Sequence, residues 1–443
     1  MNDSQSIEQT RRFTPPVQRL RAKDFVRDLG YQIGGLPVAV RGAFTRDQSS
    51  EAVIRRAYAK RYWHPQSALE FVRLALALIT WPIAVIALEI IFLAKNGATA
   101  ARQSGRPLIR QLFDQMKFYL CTGVLPPWYY IFELHRGPPS GQARDFIYRW
   151  ESKGGVMRLL KEGARAPRSE LSNKAIFAEQ CAASGIRSPE LLAVIDRGRT
   201  ERLVEAGDFA RDLFVKPVFG RGGKGAQRWD FVAGGYRSPS GITLTPEALF
   251  ERLENHSHKA PLIIQPRLVN HPALDPLNNG ALSTIRMLTC LDEHNQPELA
   301  GAAMRMAIGG NHVVDNLHSG GIAAAVDLDS GCLGQASNLG AEHDIGWIDR
   351  HPDSGARITG FKIPHWSEAC SFAISTHRQF SDRVLVGWDV AITPDGPVLV
   401  EGNGAPDLDI MQRFARQGLM AARFGVLLAY HLSQLDLASV PLV

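Results

Sequence analysis

The stretch FVKPVFGRGGKGAQRWDFV (214–232) restricts the fold more than any other part of the chain. It holds a literal G-x-G-x-x-G at Gly220, Gly222 and Gly225. A dinucleotide-binding βαβ unit needs a helix straight after those glycines, but AQRWDFV (226–232) reads as a strand. A Walker loop fails because Lys224 is followed by Gly225, not Ser or Thr, and Val218 stands where the first glycine belongs. A protein kinase carries its lysine after the loop. Here Lys216 precedes it, and no HRD or DFG set follows. What remains is an amide-rich loop between two strands. Glycines at 220, 222, 223 and 225 exceed what a plain turn requires. Gly220, Arg221, Gly222, Gly223, Lys224 and Gly225 therefore read as a phosphate cradle, with Lys216 adding a point charge. The plainer alternative is a surface hairpin with solvated Arg221 and Lys224.

From about residue 166 strands and helices alternate, which predicts an α/β (α+β) domain. LSNKAIFAEQCAASGI (171–186) reads as a helix with Ser172 as N-cap and Gly185 as its stop. Strands are expected at 191–195, 213–218, 261–269 and 283–291, and helices at 365–380 and 408–435. Thr245 and Pro246 open a further helix.

VLVGWDVAITPDGPVLVEGN (384–403) reads as a hairpin, with Pro394-Asp395 in a turn and Gly396 left-handed. A three-residue loop sets Thr393 opposite Pro397, and so Asp389 opposite Glu401, with Asn403 on the same face. Two carboxylates about 5 Å apart repel each other. A magnesium ion, which takes hard oxygen ligands, would remove that repulsion. Two surface acids on a frayed hairpin, or two that share a proton, are the alternatives. A slip of one residue would carry Asp389 to the other face.

The remaining third has a different character. Residues 1–165 hold 25 Lys/Arg against 13 Asp/Glu, whereas residues 166–443 hold 25 against 31. The basic part calls for an acidic partner, and anionic lipid is favoured over nucleic acid because no nucleic-acid motif accompanies the charge. LALALITWPIAVIALEIIFLA (74–94) is apolar apart from Thr80 and Glu89, long enough to cross a hydrocarbon core of about 30 Å. Arg55, Arg56, Lys60 and Arg61 precede it, and Arg102, Arg106 and Arg110 follow. Membrane attachment is the expectation, and a buried helix or helical hairpin is the alternative. The chain is divided into a basic N-terminal region (1–70) without strong periodicity, an apolar helix (71–95), a helical linker (96–165) around a loop at 136–142, and a catalytic domain (166–435). Five scattered cysteines with no CxxC pair fit a reducing compartment, and MNDSQSIEQTRRF shows no secretory signal.

Taken together, FVKP with GRGGKG, the helix bearing Lys174, LIIQPRL (262–268) and the 388–403 hairpin resemble the ATP-grasp superfamily. STIRMLT (283–289) resembles its arginine strand, and VDNLHSGG (314–321) the Asn-x-His-x-Gly-Gly element of glutamate-adding ligases. The whole pattern is most similar to the sugar-transfer-associated ATP-grasp group. The resemblance implies two subdomains sandwiching ATP, preceded here by the mostly helical N-terminal region. It implies that Lys174 and Lys216 lie near the phosphates, that Gln265, Arg267 and Leu268 lie along adenine, and that Asp389, Glu401 and Asn403 hold magnesium, two ions. Arg286, Arg305 and Asn316 would face the transferring phosphoryl group, ahead of His318. The implied activity is an ATP-dependent ligase that converts a substrate carboxylate, small or saccharide-borne, to an acyl phosphate for attack by an amine or similar nucleophile. A link to polysaccharide or cell-envelope sugar metabolism and a place on the cytoplasmic face of a membrane go with it. An ATP-grasp kinase acting on a hydroxyl or sugar, and a membrane-anchored protein with a vestigial ATP site, are the alternatives.

Overall fold

The computed structural model describes residues 22–137, 142–163, 169–220, 222–317, 320–340 and 345–435. The chain divides into two compact units. Among the described residues, one is built on Glu170–Leu268 with residues 22–27, the other from Asp28–Ser169 and residues 269–435.

The first unit is a seven-stranded antiparallel sheet in the order β2-β1-β7-β3-β4-β5-β6. Its strands are β1 (Ala193–Asp196), β2 (Arg199–Arg202), β3 (Leu213–Pro217), β4 (Gln227–Val232), β5 (Gly235–Arg237), β6 (Thr243–Leu244) and β7 (Leu262–Pro266). Side chains alternate across it. Leu213, Val215, Trp229 and Ile264 pack against Leu249, Phe250 and Leu253 of the helix Pro246–Ser257. As expected, Thr245 caps that helix, accepting from the Ala248 amide at 3.3 Å. The other face buries Val194, Val218 and Ile263 against Ala175, at the start of the helix Lys174–Ala183. The cap of this helix differs from the expectation. Asn173, not Ser172, accepts from the amides of Ala175 and Ile176, at 3.1 and 3.2 Å. The physical reason lies one turn back: the Glu170 carboxylate already takes the amides of Ser172 and Asn173.

The second unit holds a six-stranded antiparallel sheet in the order β11-β10-β9-β8-β12-β13. These are β8 (Thr284–Leu291), β9 (Pro297–Met306), β10 (Ile322–Val326), β11 (Leu333–Ser337), β12 (Leu385–Thr393) and β13 (Gly396–Asn403). Trp388 is buried on one face, touching His377 and Phe380 beside the helix Trp366–Gln379. On the other, Leu288, Cys290, Ala303 and Leu385 join Met411, Phe424 and Leu427. The single helix expected over 408–435 is two, Leu408–Ala415 and Arg423–Ser433, because Arg416 turns left-handed.

The 28–169 segment completes this core instead of standing apart from it. Ile54, Ala57, Ile147, Val156 and Leu160 lie in the same apolar cluster as Leu288 and Phe424. Gln412 clasps the Ile147 backbone, accepting from its amide at 2.8 Å and donating to its carbonyl at 2.9 Å. The lack of periodicity seen in 1–70 is misleading for its described part, which forms helices Ala22–Phe44 and Ser50–Trp63. The apolar pattern is broken because Arg55 and Arg61 face inward, pairing with Glu151 at 3.2 Å and Glu70 at 3.0 Å. Arg73 likewise pairs with Asp28 at 3.0 Å. Part of the basic charge read as a membrane-facing flank is therefore internal. The apolar run lies in one helix, Ala68–Ser104, capped by Ser67 and closed by left-handed Gly105. It is long and apolar enough to cross a membrane.

Candidate functional site

In the first unit the glycine loop joins β3 to β4, strand to strand, as read from the sequence. Gly220, Gly222, Gly223 and Gly225 have φ of 144°, 73°, 67° and 78°, a region that side chains other than glycine rarely adopt. Four such residues in one short loop explain the composition. Lys216 stands directly opposite Ile263 of β7, and Gln265 directly opposite Phe214, so Lys216 and Gln265 share one face of the sheet. That face meets the start of the Lys174 helix through Ile263 and Ala175. Lys174 donates from Nζ to the Gly220 carbonyl at 3.0 Å, and its amide donates to the Val218 carbonyl at 3.1 Å. Gln265 donates to the Pro189 carbonyl at 3.0 Å. The Arg267 side chain pairs with Asp212 at 2.8 Å, while Leu268 is half-buried at the end of the unit. Lys224 is exposed on the loop, and Arg221 lies outside the described residues.

In the second unit a polar row crosses the sheet. Arg286 on β8 stands opposite Asp389 on β12, and Asp389 opposite Glu401 on β13. Asn403 pairs with Gly387, two positions along, on the same face. The opposition of Asp389 and Glu401 is as expected, yet it arises differently. The turn has two residues, so Thr393 faces Gly396 and the strands begin one step off the expected register. A β-bulge then leaves Val400 unpaired between the Val390–Leu399 and Asp389–Glu401 pairs, which restores the register.

Two guanidinium groups converge on Asp389. Arg286 binds both of its oxygens, through Nε to Oδ1 and through Nη2 to Oδ2 at 3.2 Å, and Arg305 Nη2 reaches Oδ2 at 3.0 Å. Burial pushes the Asp389 carboxyl up, but the two arginines outweigh it and hold it below the usual carboxylate range. Burial opposes the charge on Arg305 too. Asp315 and Asp389 override it and keep the guanidinium firmly protonated. Asp315, 3.5 Å from Arg305, accepts from both the amide and the hydroxyl of Thr284, at 2.7 and 2.6 Å. Arg305 donates back to the Thr284 hydroxyl at 3.0 Å. Asn316 follows Asp315, half-buried, with its carbonyl accepting from Gly321 at 3.1 Å. His318 lies outside the described residues.

Sequence reasoning missed Thr284 and Asp315. The signal was present: Thr284 lies two residues before Arg286 and so on its face, and Asp315 adjoins Asn316. It also missed the acidic pair just past the hairpin. Arg149 bonds Asp409 at 2.8 Å and lies 3.3 Å from Asp407, which Lys153 also pairs.

The donor set suits a hard divalent cation. Glu401 offers a carboxylate, Asp389 one whose oxygens Arg286 and Arg305 hold in this structure, and Asn403 has a buried amide nitrogen with no hydrogen-bond partner. An Asn amide assigned that way can equally present its oxygen. Among the described residues no cluster of three or more His, Cys, Asp or Glu could hold a metal by itself. Magnesium needs few protein ligands when substrate phosphates and water fill the rest.

Three solved structures are similar at low identity. An N5-carboxyaminoimidazole ribonucleotide synthetase in complex with ADP is 12% identical, covering 54% of this chain and 46% of that one at a TM-score of 0.32. D-cycloserine synthetase is 18% identical (59% and 70%, TM-score 0.34). The ATP complex of D-alanine–D-alanine ligase from Bacillus anthracis is 9% identical (61% and 66%, TM-score 0.33). The chain thus spans about half the length of the first and about two thirds of the other two. No relative is found among curated proteins. The family described as sugar-transfer associated ATP-grasp matches residues 161–424, more than half the chain, including the glycine loop, the arginine strand and the carboxylate hairpin. With two antiparallel sheets carrying these elements in that order, the chain belongs to the sugar-transfer associated ATP-grasp family.

Proposed function

We propose that the protein is an ATP-dependent carboxylate–amine ligase whose catalytic domain occupies residues 166–435. The observation that carries this reading is the row Arg286–Asp389–Glu401 across three adjacent strands, with Arg305 on the same carboxylate. Such a row offers both signs of charge to a phosphoryl group and its cation. Lys174, Lys216 and the loop from Gly220 to Gly225 bind the phosphates of ATP. Gln265 and the backbone of Arg267 and Leu268 line the adenine. Asp389, Glu401 and Asn403 would hold magnesium, two ions, which supplies positive charge at the β- and γ-phosphates when bound.

The substrate carboxylate attacks the γ-phosphorus. A bond from carboxylate oxygen to phosphorus forms, the bridging bond breaks, and ADP leaves with its electron pair. An amine then adds to the acyl carbon, phosphate departs, and the nitrogen gives up a proton. Arg286, Arg305 and Asn316 face the charge that develops on the transferred group, and orientation with fixed positive charge supplies most of the rate. A new acceptor on the phosphate would draw Arg286 and Arg305 from Asp389 and free its oxygens. We further propose a carboxylate on a saccharide or a cell-envelope precursor as substrate. The enzyme works at the cytoplasmic face of a membrane, consistent with five free cysteines among the described residues.

The test is a screen of cell-envelope metabolites for ADP release that depends on both a carboxylate and an amine, with Glu401→Gln as control. Release that needs both, and that the control loses, is expected. A phosphorylated hydroxyl formed without any amine would replace the ligase by a kinase. Unchanged release in the control would remove Glu401 from the site.

A further inference from the structure

The helices Ala68–Ser104 and Leu108–Thr122 pack against each other, with Gln111 Nε2 on the Gly97 carbonyl at 2.9 Å and Trp81 stacked on Tyr119 at 5.7 Å. Their inner faces carry the polar groups. Glu70 pairs with Arg61 and Arg158, and Asp114 with Arg106 and Arg110. Glu89 is only 2% exposed. The outer faces are different. Phe71, Ile79, Ile83, Ile86 and Ile90 recur at helical spacing on the first helix, with Ile79 and Ile83 74% and 76% exposed. Ile109, Phe113 and Leu120 continue the apolar surface on the second. Apolar surface of this extent marks a contact site on a folded protein.

Charge on the outer faces has one sign. All three acids of the two helices, Glu70, Glu89 and Asp114, are buried. The exposed charged residues are Lys95, Arg102, Lys117 and Arg110, the last of which also pairs with Asp114 at 3.3 Å. Exposed Ile91, Lys95 and Arg102 fall together about 100° around the first helix from Ile90, beside its apolar stripe, and Lys117 lies between Phe113 and Leu120 on the second.

We propose that residues 68–122 form an in-plane docking surface for an anionic lipid bilayer, and that the long helix lies along the headgroup boundary instead of crossing the membrane. The inference rests on the membrane attachment proposed above and is independent of the ligase chemistry. A crossing helix must be apolar all round or hide its polar side against other membrane helices. Here the inner side, with Ala77, Val85 and Ala100, is packed on Tyr119, Tyr129 and the rest of a protein core, which crossing would drag into hydrocarbon. An apolar stripe flanked around the helix by cations is the form that lies in the interface. Anionic lipid is the fitting partner because no exposed acid on either helix would repel it.

The test uses the full chain, floated with vesicles of phosphatidylcholine, with and without phosphatidylglycerol. Flotation with the anionic vesicles, weakened by salt, is expected, together with release of the membrane-bound protein by alkaline carbonate. Exposed Cys121, next to Leu120, should be shielded from a water-soluble maleimide only when vesicles are present. Changing Lys95, Arg102, Arg110 and Lys117 to Gln should lower binding to anionic vesicles on the order of 10²–10³-fold. Changing Ile79 or Ile83 to Ser should lower it at least about tenfold each, with unchanged melting because these side chains are exposed. Retention after carbonate would overturn the in-plane geometry while keeping the attachment. A lipid-free dimer that Ile79→Glu splits, and that floats with neither vesicle, would overturn both and assign the face to a second copy of the chain. ADP release measured on the same samples reports on the ligase reading alone.

Discussion

The two sheets hold their charged residues in opposite ways. In the glycine-loop sheet, Lys174 rests on a backbone carbonyl and the loop bends through four left-handed glycines. In the hairpin sheet, Asp389 meets two guanidinium groups, and one of those meets Asp315 as well. The loop is backbone shaped to follow a ligand. The hairpin is an assembled charge network that already supports the fold. Substitutions should therefore cost binding in one sheet and stability in the other.

The largest expected effect tests that contrast directly. Arg286→Leu leaves buried Asp389 with a single guanidinium and should lower unfolding stability by about 3 kcal/mol, read from urea melts. Lys216→Leu should leave the melt nearly unchanged and abolish ATP binding by calorimetry. Equal losses of stability in both would erase the distinction.

Acid provides a second, comparable effect. Burial lowers the pKa of His377 to about 4, although its contact with the Arg383 carbonyl and the charge of Asp382 act the other way. The unfolded chain takes up this proton near 6.5, so stability is full above that pH and is lost as pH falls toward 4, by roughly 3 kcal/mol. His256 and His258, in the other unit, are exposed. Hydrogen exchange at pH 5 should accordingly show β12 loosening before β3, and His377→Gln should flatten the difference.

Smaller effects belong to the loop. Gly222→Ala places a Cβ at a φ of 73° and should weaken ATP binding about tenfold. Asn173→Ala should cost about 1 kcal/mol, and Ser172→Ala only a few tenths.

That last pair also shows where the sequence was readable. The strand–loop–strand arrangement and the hairpin follow from alternation and turn residues, which are local, whereas the Asp389–Glu401 opposition holds only because the bulge at Val400 offsets a turn one residue shorter than expected. The cap moved by one residue because Glu170 competes for the amides, a contact that no propensity encodes. The helices of 22–63 were hidden because Arg55 and Arg61 are buried, paired with Glu151 and Glu70, so a hydropathy pattern records them as surface. Thr284 needed only the period of two applied back from Arg286, and Asp315 only its place beside Asn316. The way in which Arg305 reaches Asp389 required the sheet order itself.

The bulge at Val400 carries a consequence for how the lineage can vary. A two-residue turn and one surplus strand residue cancel, so the length of the tip is tied to an irregularity several residues away. A ladder continued without the bulge from the Thr393–Gly396 pair would set Asp389 opposite Val400 and leave Glu401 out of step. Lineages should therefore keep the irregularity wherever they keep both acids and the two-residue tip.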